Sequence, residues 1–380
     1  MWKVQLFKLN FNHEETKAVN DIVNSGWITM GQKSREFESE FENLLGGDIH
    51  AVALSSGTAS LHTALLCLDI KAGDEVIIPA LTFVADINVV SMVGATPILA
   101  DCGSYENWNV TAESIEAQIT NKTKAVIIVH FAGYPCEMEK IASLCRKRGI
   151  YLIEDCAHAP DARYNNRACG TFGDFGCFSF FTNKNLSIGE GGMVVSKNSK
   201  LAQRAKYIRS HGMTALTLDR HRGRAISYDV KQIGLNYRID EIRSAIGLVQ
   251  LKKLKDGNRD RELLVKRYIK RLSEIEEISI PFTNIERSKP VYHIFPILLS
   301  PKIDRVWLIN RLREMGIQSS IHYPMFKDFK AFKDIGLNSA PIAEDISSRE
   351  LTLPLYPTMS FDEVDLVCDS LYKILELEMV

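Results

Sequence analysis

The sequence predicts an α/β protein with a largely parallel β-sheet covered by helices on both faces, followed by a smaller α+β region. Two observations lead to this prediction. Short apolar runs alternate with helical stretches of roughly ten residues through the first half of the chain. After residue 239 the alternation gives way to one long helical tract and a mixture of strands and helices. A chain of 380 residues, 46% of them apolar, is long enough for one large domain and a smaller one.

The elements are predicted in chain order from their hydrophobic periodicity. Amphipathic patterns predict helices at 17–25 and 33–45. The alternating part is predicted as strands at 51–54, 75–78, 97–100, 125–130 and 151–154, with helices at 58–68, 84–93, 112–118 and 137–148. The second part is predicted as a helix at 240–275, a strand at 291–299 and helices at 304–315 and 362–375. We therefore expect an N-terminal arm (1–15), a large domain (16–250) and a small C-terminal domain (251–380).

Composition and charge exclude several classes of protein. The 46 basic and 47 acidic residues nearly cancel, which does not favour a surface for nucleic acid or membranes. The N-terminal residues lack a signal-peptide core, and we find no segment of membrane-spanning length. The eight cysteines form neither a CxxC pair nor a Cys/His metal pattern. We expect a cytoplasmic protein with reduced, mostly buried thiols and no metal site.

Two residues near predicted strand ends, Lys184 and Asp155, are candidates for catalysis. Lys184 lies in a short polar loop between an apolar run (177–181) and a cluster of glycines. A lysine that loses solvation there has a lowered pKa and can attack a carbonyl as a neutral amine. The apolar run 151–153 is followed directly by two acidic residues, Glu154 and Asp155. An acid at a strand end and a nearby lysine are what an enzyme that uses pyridoxal phosphate requires.

A phosphate site is predicted where the first sheet strand leads into a helix. The residues Ser56, Gly57 and Thr58 combine a glycine turn, two hydroxyl groups and a helix N-terminus, which favours an anion. Ser179, five residues before Lys184, is within reach of the same phosphate. Simple N-capping of the helix is the alternative. The chain lacks both the Walker lysine and a GxGxxG turn after its first strand, which argues against a P-loop NTPase and a dinucleotide-dependent dehydrogenase.

Two further residues could contact a planar cofactor. Phe83 follows the strand at 75–78 and could lie flat on a ring, although most phenylalanines are core residues. His158 lies three residues after Asp155 and could face the same ring or be a hydrogen-bonded core histidine.

Six motifs in this order and spacing resemble the DegT/DnrJ/EryC1/StrS family of nucleotide-sugar aminotransferases, whose fold is fold type I of the pyridoxal phosphate enzymes. The motifs are SSGTASL, PALTFVAD, EDCAHAP, GDFGCFSFFTNKNLSIGEGG, GLNYRIDEIRSAIGLVQL and LPLYP. The resemblance extends from about residue 27 to the C-terminal helix, and the segment around Lys184 is its most diagnostic part.

The resemblance implies a role for each motif residue. Lys184 is implied to hold pyridoxal 5'-phosphate as a Schiff base and Asp155 to pair with the pyridine nitrogen. Phe83 is implied to stack on the ring, with His158 beside it. The phosphate would be held by Gly57, Thr58 and Ser179, and Asn236 would reach it from a partner subunit.

Two segments bear on the substrate. Arg220 and Arg222 lie in a basic stretch that is either a solvated loop or a flap over an anionic substrate, since arginine suits a diphosphate. His322 and Tyr323 belong to a segment that resembles the family's HYP loop near the sugar site.

These observations predict transfer of an amino group from L-glutamate to a keto group, at C3 or C4, of a nucleotide-linked deoxysugar. The resemblance also predicts a homodimer with shared active sites. The alternatives are a keto-sugar dehydratase that uses the same cofactor and a regulatory protein that binds it without turnover. Family members with histidine at the Schiff-base position are dehydratases, so Lys184 favours the aminotransferase.

Overall fold

The structure is a computed structural model that describes residues 2–214, 227–283 and 287–378. Its first part alternates strands with helices, as the hydrophobic periodicity predicts. In chain order these elements are α1 (His13–Ser25), α2 (Gln32–Leu45), β1 (His50–Leu54), α3 (Gly57–Cys67), β2 (Glu75–Pro79), α4 (Ala85–Met92), β3 (Thr96–Ala100), α5 (Ala112–Glu116), β4 (Thr123–Val129), α6 (Met138–Arg148), β5 (Tyr151–Asp155), β6 (Arg163–Tyr164), β7 (Arg167–Ala168), β8 (Phe175–Ser179), β9 (Gly192–Ser196) and α7 (Ser199–Arg209).

The second part is a mixture of helices and short strands, also as predicted. Its elements are α8 (Glu241–Leu272), β10 (Ile278–Ser279), β11 (Ser288–Lys289), β12 (Phe295–Leu299), α9 (Arg305–Glu314), α10 (Pro341–Arg349), β13 (Glu350–Leu353) and α11 (Phe361–Glu378). Of the strands, β6 to β11 and β13 are not predicted above, and of the helices α7 and α10 are not.

A seven-stranded sheet in the order β1-β9-β8-β5-β4-β2-β3 forms the centre of the first part. The five adjacent strands β3, β2, β4, β5 and β8 are parallel to one another, and β9 is antiparallel to both β8 and β1. Their nearly continuous burial is typical of a parallel sheet that is covered on both faces. The predicted α/β fold is therefore confirmed.

The reversed strand β9 determines where the loop with Lys184 lies. Because β8 and β9 are antiparallel neighbours, the loop that connects them lies at the carboxyl end of β8. The carboxyl end of β5 lies at the same end of the sheet, because β5 pairs with β8 in parallel. Lys184 is thereby brought to the strand end occupied by Asp155.

Helix α3 is buried almost all round, unlike an amphipathic surface helix. It packs between the sheet strands β8 and β9 on one side and the helices α4 and α7 on the other. Its N-terminus meets the carboxyl edge of the sheet directly after β1, so the helix dipole points into the crevice. The core position of α3 fixes this end of the cleft.

The C-terminal part has its own three-stranded antiparallel sheet, β10-β12-β13. This sheet forms a hydrophobic cluster with α9, α11 and the C-terminal turns of α8. Val4 belongs to the same cluster, and the N–H of Leu355 donates to the carbonyl of Leu6. The N-terminal arm therefore packs on C-terminal residues, while α8 extends from α1 and α2 to α11. The domain limits 1–15, 16–250 and 251–380 stay a prediction.

The predicted strand 291–299 begins only at Phe295 in the structure. The preceding residues pair instead with the turn after β4. The N–H of Val291 donates to the carbonyl of Gly133 at 3.1 Å, and that of His293 to Ala132 at 2.8 Å. This pairing brings the segment before β12 against the carboxyl edge of the large sheet.

Two global features complete the fold. Among the described residues, no helix combines the length and the apolar character that crossing a membrane requires. All eight cysteines are free and buried, as expected for reduced thiols. Burial raises the pKa of the Cys67 and Cys145 thiols to about 12, so they are protonated at neutral pH.

Candidate active site

A cleft of about 330 Å³ opens at the carboxyl edge of the large sheet. This is where open α/β sheets bind their ligands. Ten of the predicted site residues line it together: Ser56, Gly57, Thr58, Phe83, Asp155, His158, Ser179, Lys184, His322 and Tyr323. They come from separate loops that the sheet topology brings to one place.

One end of the cleft is formed by the N-terminus of α3. The hydroxyl of Ser56 accepts the N–H of Ala59 at 3.0 Å, so this side chain caps the helix. A Cβ on Gly57 would lie 2.7 Å from the Cβ of Ser179, closer than real contacts allow. Glycine is thus required for the close approach of the helix start to the end of β8. The result is a turn of backbone N–H groups beside two hydroxyl groups, which suits a phosphate.

Asp155 ends β5 and is 6% exposed at the floor of the cleft. Its Oδ1 accepts the N–H of Ala157 at 2.8 Å. Burial raises the pKa of Asp155, and the Ala157 hydrogen bond and the charge of Lys184 oppose that rise. A buried carboxylate of this kind is stabilised when a cation approaches it.

The neighbouring Glu154 has a different role. Its two carboxylate oxygens accept the N–H groups of Gly170, Phe172 and Gly173 at 2.7–2.8 Å. His130 Nε2 lies 3.2 Å from the same carboxylate. Since these contacts satisfy the carboxylate, Glu154 anchors the loop that leads into β8. The acidic pair therefore divides into one structural residue and one that faces the cleft.

Lys184 lies in the connection between β8 and β9. Burial lowers the pKa of its amine from 10.5 to about 8, because the charged form loses solvation, while the charge of Asp155 acts in the opposite direction. Its Nζ lies 3.4 Å from Nε2 of His293. With this pKa roughly a tenth of the amine is unprotonated at pH 7, far more than for an ordinary lysine, and the unprotonated form is the one that nucleophilic attack requires.

Aromatic side chains line another part of the cleft. The Phe83 side chain is 53% exposed, and its ring centroid lies 5.6 Å from that of Tyr323. The hydroxyl of Tyr323 lies 3.0 Å from Nε2 of His158, which is buried. Phe83 is thus not a core residue, and its ring is free to cover a planar ligand.

His322 is held from behind by β13. Its N–H donates to Oε2 of Glu350 at 2.7 Å, and its Nδ1 lies 2.8 Å from Oγ1 of Thr352. Burial lowers the pKa of His322 to about 3 and raises that of Glu350 to about 8. The imidazole is therefore neutral at the cleft, with its Nδ1 side turned towards β13.

The remaining predicted residues are Asn236, Arg220 and Arg222. Asn236 does not line the cleft; this side chain is exposed and its backbone bridges to Ser210. Arg220 and Arg222 lie outside the described residues.

Three polar residues at the site are not among those predicted. His293 contacts Lys184 as described above. The Oδ1 atoms of Asn183 and Asp86 are buried and have no hydrogen-bond partner among the described residues. Burial and the charge of Asp155 raise the pKa of Asp86 well above its ordinary value. A charged residue inside the apolar helical pattern 84–93 was the one sequence signal for Asp86.

The comparisons with known proteins identify the family. The model of the DegT/DnrJ/EryC1/StrS aminotransferase family matches residues 10–372. The chain belongs to this family. It is 35% identical over 373 residues to GDP-perosamine synthase of Escherichia coli O157:H7, covering 97% of both chains. The predicted family and the predicted enzyme class, a sugar aminotransferase, are confirmed.

Solved structures of the same family share the fold. PseC of Helicobacter pylori, an aminotransferase involved in the biosynthesis of pseudoaminic acid, is 29% identical with a TM-score of 0.90, covering 99% of each chain. DesV of S. venezuelae, solved in complex with a ketimine intermediate, is also 29% identical with a TM-score of 0.90, covering 98% of each chain. The predicted cofactor is confirmed as well, because a related sugar aminotransferase of the same fold, Spr1654 of Streptococcus pneumoniae, has been solved in its pyridoxal phosphate form.

The residues of the cleft fit this cofactor. The α3 N-terminus with Ser179 offers donors for a phosphate, and Lys184 offers an amine of lowered pKa. Asp155 offers a buried carboxylate for a pyridinium nitrogen. The unpartnered Oδ1 of Asn183 is a further buried acceptor that a bound ligand would satisfy.

Proposed function

We propose that the protein transfers the amino group of L-glutamate to a keto group, at C3 or C4, of a nucleotide-linked deoxysugar. The observation that carries this proposal is Lys184 in a cleft with Asp155, with its amine pKa lowered to about 8. The name of the relative GDP-perosamine synthase supports a nucleotide-linked acceptor. The diphosphate of such an acceptor would suit Arg220 and Arg222, which stay predicted substrate contacts.

Each cleft residue has a proposed task. Ser56, Gly57, Thr58 and Ser179 bind the phosphate, and Phe83 covers one face of the ring. Asp155 keeps the pyridine nitrogen protonated, and His158 lies beside the ring. When bound, pyridoxal phosphate supplies an electron-withdrawing ring that stores the amino group between the two substrates.

Lys184 attaches the cofactor and then acts as the proton carrier. Its free Nζ would move one proton from Cα of the donor to the cofactor in the first half-reaction, and one proton from the cofactor to the acceptor carbon of the sugar in the second. His322 and Tyr323 are the proposed contacts of the sugar, because they line the same cleft as Lys184 and Asp155.

The first experiment separates the two half-reactions. Wild-type protein loaded with pyridoxal phosphate is mixed with L-glutamate alone, and we expect its visible absorption band to shift to shorter wavelength. Lys184→Ala should bind the cofactor without this shift, while Lys197→Ala, at an exposed position, should behave as wild type. Reduction with borohydride and peptide mapping should place the pyridoxyl group on Lys184. An adduct on another lysine would contradict the assignment.

The acceptor is tested with a panel of nucleotide keto-sugars and a cyclitol ketone. We expect 2-oxoglutarate and aminated product in equal amounts with at least one nucleotide keto-sugar. Consumption of the sugar without an amino donor would instead identify a dehydratase. Cofactor binding without turnover of any acceptor would favour the regulatory function.

We also propose that the working unit is a homodimer in which Asn236 reaches the phosphate of the partner's site. Asn236 is exposed and outside the cleft of its own chain, and the nearby Ile233 side chain is 95% exposed. In the proposed dimer the partner covers this side chain. Subunit exchange between Lys184→Ala and Asn236→Ala should restore part of the activity, because one hybrid site then has both residues intact. A fully active monomer by sedimentation would contradict the proposal.

A further inference from the structure

His293 lies next to the amine of Lys184 although 109 residues separate them along the chain. Its Nε2 is 3.4 Å from the Lys184 Nζ, and its side chain is 3% exposed. The segment before β12 carries it there, through the hydrogen bond between its N–H and the carbonyl of Ala132. The guanidinium of Arg261 donates to the His293 carbonyl at 3.2 Å and secures the same backbone.

The protonation of the His293 ring follows from its other neighbour, Asn185. Asn185 Nδ2 lies 2.8 Å from the carbonyl oxygen of Val291, which can only accept, and donates to Asn258 at 2.9 Å. The Oδ1 of Asn185 is therefore the atom that faces His293 Nδ1, at 3.0 Å, and it can only accept. The ring carries its proton on Nδ1, and Nε2 presents a lone pair to Lys184.

The adjacent ring of His158 has the opposite tautomer. The backbone N–H of Ala132 donates to its Nδ1 at 3.2 Å, so the proton is on Nε2, which donates to the hydroxyl of Tyr323 at 3.0 Å. The two ring centroids are 4.3 Å apart. Of these two neighbouring histidines, His293 is the one that offers Lys184 an acceptor.

We propose that His293 is a positioning residue that holds the free amine of Lys184 through an N–H···Nε2 hydrogen bond. The proposal rests on the proposed function, in which this amine must be free to move a proton. One N–H given to His293 fixes the rotation of the amine and leaves its lone pair for the cleft. The bond survives when Nζ is charged, because an ammonium group has three N–H donors.

His293 orients the proton carrier but takes no proton itself. Burial and the charge of Lys184 hold the pKa of His293 well below its ordinary value. The other titratable groups that interact with Lys184 are Asp155, His158 and His322. Burial also lowers the pKa values of both histidines, so Asp155 is the group among them that can carry charge near the amine.

The first test uses cofactor-free protein, so it does not depend on catalysis. Lys184 is labelled competitively with acetic anhydride across a pH series, and mass spectrometry measures its acetylation. We expect a midpoint near pH 8 in wild type. His293→Phe removes the acceptor but keeps a ring, and should lower the midpoint by about one to two units, because a hydrogen bond to a charged group is lost.

Two matched variants separate positioning from packing. His293→Gln places an amide oxygen near the former Nε2 and should restore most of the midpoint. His62→Phe, which replaces another buried histidine, should leave the Lys184 midpoint unchanged. An unchanged midpoint in His293→Phe, or equal shifts in His293→Phe and His293→Gln, would overturn the proposal.

The second test uses the enzyme loaded with pyridoxal phosphate. In His293→Phe we expect a lower kcat, an unchanged KM for the acceptor and a larger kinetic isotope effect with glutamate deuterated at Cα. An isotope effect and kcat equal to those of wild type would overturn the proposal. If wild type turns over no keto-sugar, the proposed function fails, whereas the labelling midpoints still decide the role of His293.

Discussion

The substitution Gly57→Ala adds one methyl group at the point where the start of α3 touches the end of β8. The added Cβ would lie 2.7 Å from the Cβ of Ser179 and 3.1 Å from its hydroxyl oxygen. Ordinary carbon contacts need about 3.5–4.0 Å, so the helix start must move by roughly 1 Å. Overpacking of this kind costs about 1–3 kcal/mol. The displaced groups are those proposed to bind the phosphate.

We therefore expect Gly57→Ala to weaken pyridoxal phosphate binding by roughly 5-fold to 150-fold, which is the same free energy expressed as a dissociation constant. The assay is a titration of cofactor-free protein followed by absorbance, with the thermal midpoint of the cofactor-free protein as a second measurement. Gly257→Ala is the matched control in a helix interior, where the new Cβ would meet Pro357 at an ordinary 3.6 Å. It should leave binding unchanged.

Together, the affinity for the cofactor and the thermal midpoint show whether the added methyl group destabilises the phosphate site or the fold. A lower thermal midpoint with unchanged affinity would mean that the strain is relieved elsewhere and that the helix start is not at the phosphate. Affinity within twofold of wild type, with an unchanged midpoint, would refute the steric reasoning itself.

Four other substitutions test the site and its support. Asp155→Asn should keep the fold but lower the rate of the glutamate half-reaction by roughly 10²–10³-fold, since a neutral amide no longer favours a protonated pyridine; stopped-flow absorbance measures this. Phe83→Ala should weaken cofactor retention in dialysis by on the order of 1 kcal/mol, because a ring face is lost. Phe180→Ala should cost about 3–5 kcal/mol in urea unfolding, because this ring is fully buried 5.3 Å from a phenylalanine of α2. Phe181→Ala, at a residue that is 43% exposed, should cost well under about 1 kcal/mol.

The sequence predicts the alternating part of the fold because buried parallel strands leave apolar runs of the right length. It does not predict β9, whose role depends on pairing with β1 from the other end of the domain. Local periodicity carries no information on which strands become neighbours or on their direction. The late start of the predicted strand 291–299 has the same cause, because Val291 and His293 form hydrogen bonds with Gly133 and Ala132 instead.

Some residues of the site could likewise be predicted from the sequence and others could not. Asp155 and Lys184 could be predicted, because strand ends converge at one edge of the sheet whatever the rest of the chain does. His293 could not, since its contact with Lys184 depends on the packing of a distant segment. The acidic pair could be recognised, but its division into a structural Glu154 and an Asp155 in the cleft depends on the loop after β7.

The burial of all eight cysteines has a practical consequence. A folded molecule without an accessible thiol gives almost no background with a thiol reagent, so labelling reports opening of the structure. The thiols are spread over different parts of the interior: Cys368 lies in the C-terminal cluster, Cys145 beneath β4 and β5, and Cys177 in the strand before the Lys184 loop. Mass spectrometry of each labelled peptide would therefore time the opening of each region separately. The native cysteines can therefore serve as probes of local unfolding without any engineered label site.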